Sequence, residues 1–464
     1  MNPEFLSRLQ FTITSTFHFI YPPISMGLGL MLLIMGILYV RTKNPTWRRL
    51  SFFWVKVYGL VFALGVATGI VQEFEFGTNW AEYSRFVGNV FGSLLAAEGI
   101  FAFFLEGGFL GLMLFGGNRL GPRLWLFSIS MVVFGAHFSA LWIIMANSWM
   151  QTPQGYELAQ TAYGTLAFMT SFREVALTPS FLARFWHTLV ASWLVGSSLV
   201  LSVSAFYLLK GRYSECAKGA FKVALPVFFV FSIVQATLLG SQSARNVTEY
   251  QPQKLAAMEG VWEDTACAPM VVAGWVNEGT QTTTGITIPC LLSWLAGDST
   301  DTVIQGLRSF PQDTWAPVAW VFQSYHLMIL LGGLFIAIGA LGVLFSVWGE
   351  RIWRTRWLLW VFVFTVFLTE LSTMAGWWTA ELGRQPWIVW QLLRVADAVS
   401  PNLTTTQVLL SNIMFVLLYA LLFTLFLYLL NEKIMEGPKP VEETTPLASL
   451  PDNFREVFRR RARA

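Results

Sequence analysis

Charge is what this chain has least of. Only 12% of its 464 residues are Asp, Glu, Lys or Arg, about half the share of a soluble domain, so an ordinary water-soluble fold is excluded. No internal repeat and no pair of interrupted apolar segments is visible, which counts against the repeat-built transporters. The first apolar stretch is too long for a signal h-region and no small-residue cleavage site follows it, so no removable leader is expected. Histidine is scarce at four and cysteine at three. Cys267 and Cys290 share one long connection and Cys216 lies elsewhere; sequence leaves the pairing of the first two open.

Apolar residues take up the room that charge leaves, at 55% of the chain, with aromatics at 16%. Runs long enough to cross about 30 Å of hydrocarbon fall at 11–40, 52–72, 90–116, 123–149, 177–208, 220–241, 317–348, 357–378 and 405–431. The expected fold is therefore an all-α integral membrane protein of nine transmembrane helices. Residues 1–241 hold the first six spans, 242–316 a long connection, 317–431 the last three spans, and 432–464 a basic tail. Orientation follows from the Lys and Arg asymmetry. Arg41, Lys43, Arg48 and Arg49, Arg119 and Arg123, Lys210, Arg212, Lys218 and Lys222, and Arg351, Arg354 and Arg356 all fall on one set of connections, with seven more in the tail. That places the N-terminus outside, the C-terminus in the cytoplasm and the 242–316 connection outside. A connection of that length is more often functional than idle.

The segment Gly376-Trp377-Trp378-Thr379-Ala380-Glu381-Leu382-Gly383-Arg384-Gln385-Pro386-Trp387 closes an almost purely apolar run from Trp357 to Met374. A carboxylate and a guanidinium at a helix mouth are costly to place there. His18, His187, Met328, Glu98 and Glu381 lie on five different spans at similar depth when counted from the outer ends. Imidazole, thioether and carboxylate gathered in a bilayer suggest ligands for a redox metal. Met328 alone would pass for core filling, and His137 and His326 for hydrogen-bond donors between helices. Glu98 and Glu106, about 12 Å apart along one span, suit a proton relay.

These residues sit within longer motifs: Ser7-Arg8-Leu9-Gln10-Phe11, Phe76-Gly77-Thr78-Asn79-Trp80, Ala140-Leu141-Trp142, Ala146-Asn147-Ser148-Trp149-Met150-Gln151 and Gly383-Arg384-Gln385-Pro386-Trp387. Through them the chain resembles subunit I of the cytochrome bd-type quinol oxidases, of the short-loop kind. The resemblance implies a low-spin heme b on His187 and Met328, and a high-spin heme b and a heme d on His18 and Glu381. Glu98 would stand beside heme d, Glu106 and Ser139 on its proton route, and Arg8, Arg384 and Trp377 against the hemes. In Gln253-Lys254-Leu255-Ala256-Ala257-Met258-Glu259, Lys254 would orient a quinol and Glu259 take its proton. His326 stands where an arginine is expected near the low-spin heme, His137 replaces an amide, and Gly107 replaces a serine. The implied protein oxidises ubiquinol or menaquinol at the outer face of a bacterial cytoplasmic (inner) membrane. It reduces dioxygen to water without pumping protons, beside a second membrane subunit and a small single-span one. A proton-coupled transporter and a heme-bearing quinol dehydrogenase anchor are the alternatives. No nucleic-acid partner is expected.

Overall fold

The structure, a computed structural model, describes residues 2–440 apart from 118 and 350, so most of the basic tail lies outside the described residues. Nine helical segments among the described residues are long and apolar enough to cross a membrane: Pro3–Thr42, Pro45–Thr78, Ala81–Phe115, Pro122–Gln151, Phe172–Leu209, Ser214–Tyr250, Val318–Val347, Arg356–Leu382 and Thr405–Glu436. Their starts are set by local chemistry. Asn2 and Asn44 accept hydrogen bonds from the first free backbone N–H groups, each with a proline next in line, and Thr404 forms a capping box with Gln407. Proline suits those first turns because its missing N–H would go unpaired there anyway.

Four of the nine segments are interrupted, the fifth between Phe172–Ala176 and Phe181–Leu209. The first breaks into Pro3–His18 and Tyr21–Thr42, because Pro22 and Pro23 cannot continue a helix begun upstream. The third holds a π-helical stretch, Glu98–Phe103, and the sixth another, Gln235–Leu239. Such insertions cluster at functional positions. Gly27 and Gly196 bring the first and fifth spans into backbone contact, so that a Cβ on Gly27 would lie 2.6 Å from the Gly196 nitrogen. Small residues allow that approach where no hydrophobic drive exists between helices.

The main core fills the middle of the bundle with Leu28, Met31, Trp54, Tyr58, Val195, Phe221 and Phe362, all fully buried. Connections two, four, six and eight share one end, termed here the loop end. It carries three antiparallel hairpins that hydropathy did not reveal: β1 (Tyr156–Thr161) with β2 (Gly164–Met169), β3 (Met270–Asn277) with β4 (Thr282–Ile288), and β5 (Trp387–Val389) with β6 (Leu393–Arg394). The long connection is not open coil. The sixth helix runs on to Tyr250, a short helix Pro252–Glu259 follows, and a Cys267–Cys290 disulfide brackets the β3–β4 hairpin.

Candidate functional site

The eighth span is the hinge-pin of the site. At its loop end Gly376, Trp377, Glu381 and Arg384 each meet a different partner. Gly376 faces Met328: a Cβ there would stand 2.8 Å from the Met328 sulfur. The Trp377 ring stacks on Phe19 at 5.5 Å, next in sequence to His18. Glu381 accepts from Asn147 Nδ2 at 3.0 Å and pairs with Arg384. Arg184, three residues before His187, donates to the oxygen of the same Asn147.

Lys254 completes this cluster from the Pro252–Glu259 helix. It is 3% exposed and its ammonium donates to Gln151 Oε1 at 3.1 Å and to the Ala380 carbonyl at 2.9 Å. Burial first, then the Arg184 charge, hold that ammonium well below the usual lysine range, while Glu381 opposes them. Glu259 faces away, toward Tyr325 of the seventh span, and burial pushes its carboxyl up to about 7 against the Tyr325 hydrogen bond. Lys254 and Glu259 are therefore both withdrawn from the surface. Each is buried against a different span.

Counting along helices does not align the expected ligands, because the first and third helical segments start earlier than hydropathy indicated. His18 is the last residue of its segment rather than two turns in, and Glu98 follows a 17-residue helix. Side-chain contacts link them instead. His18 Nδ1 lies 2.9 Å from Thr68 Oγ1, with Gly69 leaving space beside the ring. His187 leaves its Nδ1 buried without a partner. Ser139 donates to Glu98 at 2.6 Å, whereas Glu106 accepts from Tyr58 at 3.1 Å. Gly135 makes room for Glu106: a Cβ there would be 2.9 Å from the Glu106 Cβ. Arg8 donates to Gln385 at 3.2 Å and lines a cleft of about 490 Å³ with Trp262, Trp315 and Arg394.

Two histidines do structural work. His137 accepts from Trp193 Nε1 at 3.0 Å, tying the fourth span to the fifth. The His326 nitrogens lie 2.8 Å from the Phe322 carbonyl and 2.9 Å from the Val271 carbonyl, so it fastens β3 to the seventh span. Sequence reasoning passed over Arg184, Asn147 as a contact, Tyr58, Thr68 and Glu75, whose carboxylate accepts from Gln10 at 3.3 Å and Thr14 at 3.0 Å. For Arg184 the signal was available: an arginine inside an apolar run beside a histidine.

Residues 6–438 match the sequence profile of cytochrome bd terminal oxidase subunit I. The chain belongs to that family. It is 34% identical to cytochrome bd-II ubiquinol oxidase subunit 1 of Escherichia coli (strain K12), over 95% of this chain and 98% of that one. It is 35% identical to cytochrome bd ubiquinol oxidase subunit 1 of Bacillus subtilis (strain 168), over 94% of each. Among solved structures it resembles the bd oxidase from Geobacillus thermodenitrificans, with a TM-score of 0.87, 28% identity and coverage of 94% and 99%. This multi-pass membrane chain is thus a quinol:oxygen oxidoreductase subunit of the respiratory type, and neither a transporter nor an anchor without oxygen chemistry.

The family implies heme, and the residues fit it. Two guanidinium groups, charged at any relevant pH, and Lys254 surround the single carboxylate of Glu381. Arg184 Nε and Arg384 Nε and Nη1 are buried without a hydrogen-bond acceptor. Buried cations left short of anions are costly, and heme propionates are carboxylates of the geometry that guanidinium forks prefer. The free Nδ1 of His187 and the Met328 sulfur beside Gly376 add an imidazole and a thioether.

Proposed function

We propose that this subunit holds three hemes in one layer near its loop end: a low-spin heme b, a high-spin heme b and a heme d. His187 and Met328 would hold the low-spin heme, and an imidazole with a thioether would favour ferrous iron and raise its potential as a quinol acceptor. His18 and Glu381 each hold one high-spin heme, and Arg384, Arg8 and Trp377 contact the groups. When bound, the hemes accept electrons one at a time and reduce dioxygen. The crowding of Arg184, Lys254 and Arg384 around one carboxylate, with guanidinium nitrogens unfilled, is the observation that carries this reading.

The chain's own residues handle the protons. At the loop end, taken as the outer face, Lys254 orients a quinol oxygen and Glu259 takes the quinol proton. With a carboxyl poised at about 7, Glu259 alternates between acid and base near neutrality, as general catalysis requires. On the cytoplasmic side, Glu106 passes protons to Glu98 and the Ser139 hydroxyl keeps Glu98 aligned. Ubiquinol or menaquinol releases protons outside while those consumed come from inside, so charge separates without pumping. A second, heme-free membrane subunit and a small single-span one complete the complex in a bacterial cytoplasmic membrane.

The test is an optical spectrum with quinol-driven oxygen uptake. Met328→Leu preserves volume, and we expect the low-spin band to give way to a high-spin signal; an unchanged band rejects Met328 as a heme-holding residue.

A further inference from the structure

One buried acid has no role in the scheme above. Glu370 sits midway along the eighth-span helix, Arg356–Leu382, inside what hydropathy reads as apolar. Both carboxyl oxygens are shielded from the surface and neither has a hydrogen-bond partner. An unpaired carboxylate in hydrocarbon is too costly to persist, so the group is a neutral acid with one O–H to give.

Its helical phase puts it on the face that carries the site residues of this helix. Eleven residues separate Glu370 from Glu381, three turns of 3.6, so the two share a face about 16 Å apart along the axis. Trp377, two turns above Glu370, lies on that same stripe and stacks on Phe19 beside His18. Leading away from Glu381, hydroxyls occupy the seam between the fifth and eighth spans. Thr369 and Ser198 are 2.7 Å apart, Ser202 donates to the Val363 carbonyl at 2.6 Å, and Thr365 is fully buried. Glu106 and Glu98 belong to the third span, so Glu370 lies on a separate element.

We propose that Glu370 is a second proton-holding site beneath the heme layer, supplied along the hydroxyl seam and independent of Glu106 and Glu98. This rests on the reading of Glu381 and His18 as heme-holding residues. In the step, the Glu370 O–H gives its proton toward reduced oxygen and leaves a carboxylate. A proton from the opposite end of the bundle then restores the acid. No electron changes hands at Glu370; quinol supplies electrons through the established activity.

The experiment is reduced-minus-oxidised infrared spectroscopy on the purified, heme-loaded complex, comparing wild type with Glu370→Gln, Glu370→Asp and Glu106→Gln. A carbonyl band of a protonated carboxyl should respond to reduction in wild type and vanish in Glu370→Gln. It should return at a shifted frequency in Glu370→Asp and survive in Glu106→Gln. Quinol-driven oxygen uptake should fall severalfold in Glu370→Gln and recover in part in Glu370→Asp, with heme spectra unchanged. An identical infrared spectrum in Glu370→Gln overturns the proposal while leaving the heme reading intact. Should Glu370→Gln lose its hemes, the aspartate variant decides: hemes present and no shifted band overturns it. A wild-type complex without heme bands overturns the heme reading first, and this proposal with it.

Discussion

The loop end of the bundle and its interior treat charge in opposite ways. At the loop end, two arginines and a lysine converge on one carboxylate, joined by amides that hold every group in place. Deeper in, Glu98, Glu106 and Glu370 stand apart, the first two each hydrogen-bonded to a single hydroxyl and the third without a hydrogen-bond partner. Fixed cations with unfilled donors make a site for anions, whose geometry is set before the ligand arrives. Carboxyls with neutral partners stay protonated and can exchange that proton, which a tight ion pair would forbid. On the proposed reading, one end holds and the other passes protons on.

The strongest break of the loop-end cluster is Arg384→Leu. Removing one partner of a buried charge network costs about 3–5 kcal/mol, and here it also removes two unfilled donors. Heme bands of the purified complex should diminish markedly, and oxygen uptake with them; full heme content would show that the surplus cations serve no anion. Next is Glu259→Gln, which should slow quinol-driven uptake by about a hundredfold, the lower range for general-base loss, with heme content and artificial-donor oxidation retained. Wild-type activity at limiting quinol should rise with pH through about 7, since the group accepts a proton only as carboxylate above that value. That rise should be absent in Glu259→Gln, and a persisting one would place the titrating base elsewhere.

A smaller effect sharpens the interior side. Gly135→Ala would press on the Glu106 Cβ and backbone, an overpacking worth about 1–3 kcal/mol. The melting temperature should fall modestly and proton delivery should slow with no change in heme spectra. If Gly135→Ala matches wild type in both, Glu106 is not held by that close approach.

Hydropathy made the nine spans legible, because a bilayer demands long apolar runs whatever the fold inside them. Breaks within spans were harder to see. The interruption after His18 follows from Pro22 and Pro23, and both prolines were visible, but the π-helical turn at Glu98 depends on packing that no local pattern announces. The hairpins escaped because strands as short as Tyr156–Thr161, amid mixed residues, carry too little alternation. Lys254 reads in sequence as a quinol-orienting residue of the long connection, with nothing to show its burial. Only the fold shows it beneath Ala380, because its acceptors come from spans four and eight, more than a hundred residues away. The expected ligands were legible as residue types out of place in hydrocarbon. Their partners Thr68, Tyr58 and Asn147 were not, since a lone hydroxyl or amide is ordinary in any helix.

The division of labour between holding and passing on is tested most directly by Glu106→Gln, which keeps shape and hydrogen-bonding capacity but abolishes titration. Heme content and heme reduction by quinol should match wild type, while steady-state oxygen reduction falls by about tenfold or more, a barrier increase of roughly 1.4 kcal/mol or above. Wild-type oxygen turnover in that variant, with every heme present and reducible, would contradict the account.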